Sequence, residues 1–397
     1  MNVKQILSKC LTHITPTMHK VRRLSLFAAI ESTLNGGTLS VTGLGRNIDN
    51  CAYEKHRIKR VDRLCSNVHL RQEILSVYHR MCAALIHTNK QPIIHVDWSD
   101  MDERKQHFLL RASLATQGRS LTLYEEIHPL KSKEKPKTHR LFMQQLKAML
   151  PEDCHPIIVT DAGFRIPWFK LVESLGWDFV GRVRNKTHCK KVKDDEWLPV
   201  KSLYQLGTLR PKDLGIYQQG VKIGFESRMI IVWRKAKGRK DKTATGERAR
   251  RSKKSRACAD REKEPWLLAT SLSKTKNLSK RTVKIYATRM QIEESFRDLK
   301  TGLKMNDSGS RLSPRLQVLL LIALVAQYLL FLLGLAVKSA ECHRRYQANS
   351  IKNRNVLSNQ FIGLRAYKDK YLVLLKEHWE AAIVQLNSLI AEPQACY

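Results

Sequence analysis

The sequence predicts an α/β protein in which a mixed sheet with packed helices is flanked by helical segments at both ends of the chain. This prediction rests on three observations: two short Ile-rich strands, a strand pair joined near Gly118, and helical periodicity before residue 91 and after residue 305. From residue 91 the order is strand, strand, strand, helix, strand, helix, strand, which is typical of an α/β sandwich.

The elements of this α/β region follow from local patterns. Apolar runs rich in β-branched residues predict strands, and apolar residues recurring every three to four positions predict helices. The predicted strands are Pro92–Trp98, His107–Ala115, Ser120–Ile127, Pro156–Thr160 and Asp178–Arg184. The predicted helices are Thr138–Leu150 and Ile166–Leu175.

The first ninety residues are predicted to be helical and basic. A helix covers Leu24–Leu34, Ser40 can cap a short second helix, and a third covers Ala52–Cys65. The third helix carries the cations Arg57, Lys59, Arg60 and Arg63. Two short helices with a basic second one resemble a helix-turn-helix that binds a DNA groove. A basic face that is merely solvated is the alternative.

From residue 215 onward, the sequence predicts a hairpin, a basic loop, a strand and helices in turn. Gly215–Arg234 suggests a β-hairpin, and the basic run that follows, to about residue 256, suggests a loop that binds phosphates or is simply solvated. A strand starts near Pro265, and one long helix is predicted from Ser279 to Leu303. Leu316–Val337 has the length and apolarity of a membrane span, but Gln317 and Gln327 interrupt it, which favours a buried helix.

Composition narrows the class of protein. Lys and Arg total 71 against 36 acidic residues, giving a net charge of +35, which favours a polyanionic partner such as nucleic acid. The nine cysteines include no Cys-x-x-Cys pair, which is typical of a reduced intracellular protein. The N-terminus lacks the apolar core of a signal peptide.

Two aspartates follow the short buried strands. Asp97 lies in HVDWSD at the predicted end of the first, and Asp161 lies in IIVTDAGF at the end of the second. Neighbouring parallel strands would place both carboxylates at one edge of the sheet, where binding sites gather. An aspartate after a strand often only caps a turn, so the pair is more informative than either member.

The predicted long helix carries a third carboxylate. Tyr286, Arg289, Glu293 and Lys300 fall within roughly 60° of one another on a helical wheel, beside a separate apolar stripe. A solvated charged face is the alternative. Three carboxylates without His or Cys partners favour Mg²⁺ or Mn²⁺ over zinc. Two such ions support in-line phosphoryl displacement.

These residues resemble those of a known family. Asp97, Asp161 and Glu293 look like the acidic triad of DDE transposases, and Tyr286-x2-Arg289-x3-Glu293-x6-Lys300 fits the YREK signature of insertion sequence family 4. HVDWSD, TDAGFRIPW, TRMQIEESFRDLK and the late NRNVLS also resemble segments of family members. The likeness runs through nearly the whole chain.

The resemblance implies a ribonuclease-H-like core that binds two divalent ions through the triad. It implies strand nicking, hairpin formation and opening, and joining to target DNA, within a homodimer on both terminal inverted repeats. Tyr286, Arg289 and Lys300 would then contact phosphates, and Trp266 is the candidate for stacking on a flipped base. Some relatives have a second Trp where this chain has Met290. A bacterial, cytoplasmic, nucleoid-associated protein without a membrane partner is expected.

The predicted domains follow from this resemblance and the composition. They are a helical DNA-binding domain at 1–90, a catalytic core at 91–184 and 265–305, a β-rich basic insertion at 185–264, and a helical dimerisation region at 306–397. Two rival functions stay open: a metal-dependent nuclease that does not join DNA, and a DNA-binding regulator derived from a transposase that no longer cuts.

Overall fold

The computed structural model describes residues 3–87, 89–102, 104–184, 187–235, 238, 252–351 and 354–395. Its helices are α1 (Val3–Ile14), α2 (Lys20–Leu34), α3 (Val41–Arg46), α4 (Glu54–Cys65), α5 (Val68–Ile86), α6 (Pro136–Met149), α7 (Ile166–Ser174), α8 (Lys253–Asp260), α9 (Leu278–Ala287), α10 (Met290–Arg297), α11 (Ser313–Ser339), α12 (Asn359–Tyr367) and α13 (Lys376–Ala395). Its strands are β1 (Ile93–Asp100), β2 (His107–Ala115), β3 (Ser120–Pro129), β4 (Ile157–Thr160), β5 (Asp178–Arg182), β6 (His188–Lys191), β7 (Leu198–Pro199), β8 (Lys212–Gln219), β9 (Phe225–Val232) and β10 (Trp266–Thr270). This mixture confirms the predicted α/β class. Most of the predicted basic loop lies outside the described residues.

The chain forms two compact units, and the second is inserted into the sequence of the first. The first unit consists of Met1–Cys154 and Met290–Cys396, and the second of His155–Arg289. The chain therefore passes between the units twice, after Cys154 and after Arg289.

In the first unit, β3, β2 and β1 lie side by side and are antiparallel. The β2–β3 hairpin confirms the strand pair that was predicted around Gly118. Helices α5 and α10 pack against β3, and α10 also packs against β1. This arrangement places the helix that carries Glu293 on the strand that carries Asp97.

In the second unit, the strand order is β4-β5-β10-β9-β8-β6-β7. The first pair, β4 and β5, is parallel, and every other neighbouring pair is antiparallel. The predicted hairpin within Gly215–Arg234 is confirmed as β8 and β9, although β8 starts earlier, at Lys212.

The apolar segment at 316–337 forms the interior helix of the first unit. Among the described residues, α11 is the one helix long and apolar enough to cross a membrane, and 89% of its most apolar window is buried inside the protein. Helices α2, α12 and α13 and strand β3 cover it. The prediction of a buried helix is confirmed because these elements, distant in sequence, cover most of its apolar surface.

Helices α11 and α12 approach each other through two glycines. A Cβ atom on Gly334 would lie 1.9 Å from the carbonyl oxygen of Asn359, and one on Gly363 would lie 1.9 Å from the carbonyl oxygen of Leu330. Backbone therefore packs directly on backbone at this crossing, and no side chain fits between the two helices.

The prediction of one helix from Ser279 to Leu303 is wrong. Helix α9 ends at Ala287, where the amides of Thr288 and Arg289 donate to carbonyls three residues back and the Thr288 hydroxyl donates to the Ile285 carbonyl, 2.7 Å away. Such tighter bonds end an α-helix. After α10, residues Asp298–Gly302 form a π-helical turn. The predicted straight stripe from Tyr286 to Lys300 therefore does not exist as one helix face.

Candidate functional site

The three predicted metal ligands are divided between the two units. Asp97 on β1 and Glu293 on α10 belong to the first unit, and Asp161 directly follows β4 in the second. Within each unit, the described residues contain no group of three or more His, Cys, Asp or Glu side chains arranged to hold a metal ion. Each unit supplies part of the predicted ligand set.

Asp97 lies inside its strand rather than at the strand's end, which corrects the prediction. Strand β1 continues to Asp100 because its ladder with β2 extends to the pair of Asp100 and Phe108. Burial nevertheless changes at Asp97: the four strand residues before it are buried, and the strand is half-exposed from Asp97 onward. The carboxylate therefore stands at the border between the core and solvent.

Trp98, the residue after Asp97, binds both the Asp97 carboxylate and helix α6. The amide of Trp98 donates to Oδ1 of Asp97, 2.8 Å away, and the indole Nε1 of Trp98 donates to Nε2 of His139 on α6, 3.2 Å away. Burial, assisted by His128, lowers the pKa of His139 to about 4, so its imidazole is neutral near pH 7 and can accept this bond. Sequence reasoning missed this contact because it joins residues 41 positions apart.

Asp161 is oriented by the turn that follows β4. The amide of Gly163 donates to Oδ1 of Asp161, 2.7 Å away, and a Cβ atom at residue 163 would lie 3.0 Å from that oxygen. The absent side chain thus leaves room for the carboxylate to accept a backbone hydrogen bond and remain half-exposed.

Tyr286 lies near Asp161 in the second unit. Its side chain is buried on α9, and burial raises the pKa of its phenol. The charged groups that act on this phenol are Arg289, Arg182, Asp161 and Arg184. Of the predicted site residues, Asp161, Tyr286 and Arg289 are therefore in one neighbourhood, with two further arginines that sequence reasoning did not single out.

Trp266 packs against Tyr286 at the start of β10. The two rings meet edge to face with centroids 4.9 Å apart, and the guanidinium of Arg234 lies over the indole, 4.7 Å from its centroid. The indole is half-buried, and one of its faces is covered by this cation.

Lys300 lies in the π-helical turn of the first unit. Burial lowers the pKa of its ammonium group, and the Asp100 carboxylate acts in the opposite direction. Asp100 also lies 3.8 Å from the ammonium nitrogen of Lys105 and 3.9 Å from that of Lys133. Sequence reasoning passes over Asp100, because an isolated acid at a strand end is an ordinary surface residue.

The four predicted cations of α4 have different surroundings. The guanidinium of Arg57 donates to the Ile48 carbonyl at 2.6 Å, and that of Arg60 donates to the Leu24 carbonyl at 2.9 Å. These two side chains are half-buried. Lys59 and Arg63 are exposed, and the Lys59 ammonium also lies 3.1 Å from Oδ2 of Asp62, one turn further along the same helix.

The exposed side chains of α4 form one stripe. Apart from Glu54 at its first position, they are Lys55, His56, Lys59 and Arg63, which recur at helical spacing. The helix before it is capped by the Ser40 hydroxyl, which accepts from the Gly43 amide at 3.0 Å, as predicted. Gly45 of α3 lies against Ile58 of α4, where a Cβ atom would come within 2.5 Å of the Ile58 Cα. The pair α3–α4 is thus a tight helical pair with a basic outer face.

Comparison with known protein families identifies a match. The sequence profile of a protein family described as the transposase DDE domain matches residues 86–329, more than half of the chain. The matched segment contains Asp97, Asp161 and Glu293. No curated protein sequence matches the chain.

Proposed function

The chain belongs to the transposase DDE domain family, and on that premise we propose that it moves an insertion sequence by cut-and-paste transposition. The finer assignment is to insertion sequence family 4, with a ribonuclease-H-like core. The motifs also resemble those of the transposase of the tetracycline-resistance composite transposon. The proposed steps are strand nicking, hairpin formation and opening, and joining of the freed ends to target DNA.

The observation that carries this proposal is the placement of three carboxylates inside the matched segment. Asp97, Asp161 and Glu293 offer oxygen donors alone, and such donors fit Mg²⁺ or Mn²⁺. These three residues would hold the ions, two in number by resemblance. The bound ions would supply charge stabilisation to phosphoryl transfer.

The neighbouring side chains would bind the DNA. Arg289 and Lys300 offer positive charge to phosphates, and Tyr286 offers a buried hydroxyl beside Asp161. Stacking of a flipped base on Trp266 would require Arg234 to leave one face of the indole or the base to use the other. A homodimer on two terminal repeats, in the bacterial cytoplasm at the nucleoid and away from membranes, completes the proposal.

Cleavage of labelled DNA tests the proposal. The substrate carries the segments that flank this gene, the reaction contains Mg²⁺, and denaturing and native gels resolve the products of the parent protein and of Glu293→Ala. Hairpin ends and joined products from the parent alone are the expected result. Nicked products without joining would favour the nuclease. Specific binding without cleavage by either protein would favour the regulator derived from a transposase.

The stripe on α4 gives a second expected result. The double variant Lys59→Gln/Arg63→Gln removes two exposed cations, and we expect weaker DNA binding because fewer phosphate counterions are released. The slope of log affinity against log salt concentration should fall by about one for each cation removed. Fluorescence anisotropy with a labelled duplex at several salt concentrations measures both quantities.

The matched control for that measurement is Arg60→Gln. The Arg60 guanidinium donates to the Leu24 carbonyl and, at 3.2 Å, to the Ser25 hydroxyl, so its loss should lower the Tm. The salt slope should stay at the parent value. A fall in slope of about one for Arg60→Gln, the same as for each cation of the stripe, would show that the outer stripe has no special role in binding.

A further inference from the structure

Helix α10 is a short element that depends on its neighbours. It has only eight residues, between the turn at 288–289 and the π-helical turn at 298–302. Isolated helices of this length are not stable in water, so packing and polar contacts must determine where α10 lies. The same contacts therefore determine where Glu293 lies.

The turn of the β2–β3 hairpin binds the first part of α10. The amide of Thr116 donates to Oε1 of Gln291, 3.0 Å away, and Nε2 of Gln291 donates to the carbonyl oxygen of Thr116, 2.6 Å away. Both backbone groups of one residue are thus paired with a single side-chain amide. Arg119, at the other end of the turn, lies 2.7 Å from Asp298 and 3.4 Å from Glu294.

A buried ion pair binds the middle of α10. Arg111 on β2 and Glu125 on β3 are almost completely buried, with 2.7 Å between Nη2 and Oε2. The Arg111 Nη1 donates to the Ser295 hydroxyl at 3.0 Å, and its guanidinium lies 4.8 Å from the centroid of the Phe296 ring. The Tyr78 hydroxyl donates to the second Glu125 oxygen at 3.2 Å.

The polar contacts hold the side of α10 that is turned away from Glu293. Gln291, Glu294 and Ser295 lie on one face of the helix, and Glu293 lies about 150° from the centre of that face at 3.6 residues per turn. The hydrogen bonds and ion pairs from the hairpin therefore act on a different face of the helix from the one that carries Glu293. Mg²⁺ demands near-ideal octahedral geometry, so its ligands need such external fixation.

We propose that Gln291 and Arg111 are positioning residues, which anchor α10 to the β2–β3 hairpin and thereby place Glu293 for binding a divalent cation. This inference rests on the proposed function for the role of Glu293. The anchoring of α10 is inferred only from contacts within the first unit and does not depend on the proposed function. Arg111 acts through Ser295, and Gln291 acts through the Thr116 backbone.

The test compares two glutamines of the first unit that bind backbone in the same way. Gln291→Met removes the anchor of α10 with little change in side-chain size. Gln347→Met is the matched control, because its amide donates to the carbonyls of Ile351 and Arg354 and accepts from the Val356 amide, and none of these residues belongs to α10. Ser295→Ala is a second variant, which removes the acceptor of Arg111 Nη1 and leaves the ion pair of Arg111 with Glu125 in place.

Two readouts are measured on the full chain. Hydrogen–deuterium exchange without metal should show faster exchange of the α10 amides in Gln291→Met and Ser295→Ala but not in Gln347→Met. The Mg²⁺ concentration for half-maximal DNA cleavage should rise about 10- to 100-fold in the first two variants, as is usual when partners of metal ligands are lost. Binding of Mn²⁺ alone, followed by electron paramagnetic resonance, should weaken in parallel.

Unchanged exchange in α10, or equal changes in Gln291→Met and Gln347→Met, would overturn the inference. The inference would also be overturned if Gln291→Met cleaved DNA at the Mg²⁺ concentration that the parent requires. In that case the proposed function would stand. If the parent binds Mn²⁺ but does not cleave DNA, the proposed function fails. The anchoring of α10 is then tested by comparing amide exchange and Mn²⁺ binding between the parent and the variants.

Discussion

Replacing Asp97 or Asp161 by Asn is expected to lower DNA cleavage at least about a thousandfold while leaving DNA binding intact. The substitution keeps the shape of the side chain but removes one negative charge from the predicted ligand set. Bound divalent ions contribute several kcal/mol to phosphoryl transfer, and about 1.4 kcal/mol corresponds to a factor of ten in rate. Single-turnover cleavage at saturating protein, beside anisotropy on the same duplex, measures the two effects separately.

The controls for these substitutions are exposed aspartates from the same units. Asp153 pairs with Lys90 at 3.3 Å in the first unit, and Asp260 pairs with Lys263 at 2.9 Å in the second. Exposed pairs contribute little to stability, so Asp153→Asn and Asp260→Asn should cleave at parental rates. Cleavage within tenfold of the parent by either Asp97→Asn or Asp161→Asn would remove that residue from the proposed site.

Gly334→Ala and Gly363→Ala are each expected to destabilise the first unit severely. The added methyl group would lie 1.9 Å from a carbonyl oxygen of the opposing helix in both cases, and a backbone carbonyl cannot rotate away as a side chain can. Helices α11 and α12 would have to separate, at a cost of about 3 kcal/mol or more. That cost corresponds to a fall in Tm of about 6–12 °C, which differential scanning calorimetry detects.

A glycine with free space gives the matched comparison. At Gly302 the nearest atom to an added Cβ is the Asp298 Cβ, 4.0 Å away, so Gly302→Ala should keep the parental Tm. If Gly334→Ala and Gly363→Ala also kept it, the two helices would be more loosely packed than the structure indicates.

Local patterns were sufficient to predict the elements of the α/β region. Strands β1 to β5 and helices α6 and α7 were predicted because apolar residues recur in each with the spacing of a strand or a helix. The break between α9 and α10 was not predictable in this way. Apolar residues keep helical spacing on both sides of it, and the interruption depends on hydrogen bonds of Thr288 and Arg289.

The sequence was sufficient to predict the residue types of the candidate site but not the contacts that hold those residues in place. Acidic residues beside strands and on a helix can be recognised from sequence, and the family resemblance selected three of them. The contacts of Gln291 with Thr116 and of Arg111 with Ser295 join residues 175 and 184 positions apart. No local pattern marks such pairs, since a Gln on a helix or an Arg on a strand is ordinary by itself.

The insertion of one unit into the other sets the order in which a growing chain can fold. The second unit is continuous, so it can fold as soon as Arg289 has been synthesised, whereas the first needs α11 to cover α2, α5 and β3. At ribosomal speeds, on the order of 10–30 s pass between the synthesis of Cys154 and that of Ser313. During that time the nascent first segment exposes the apolar surface that α11 later covers. A chain that is terminated before α11 would therefore contain Asp97, Asp161 and Glu293 but could not assemble the unit that supports two of them.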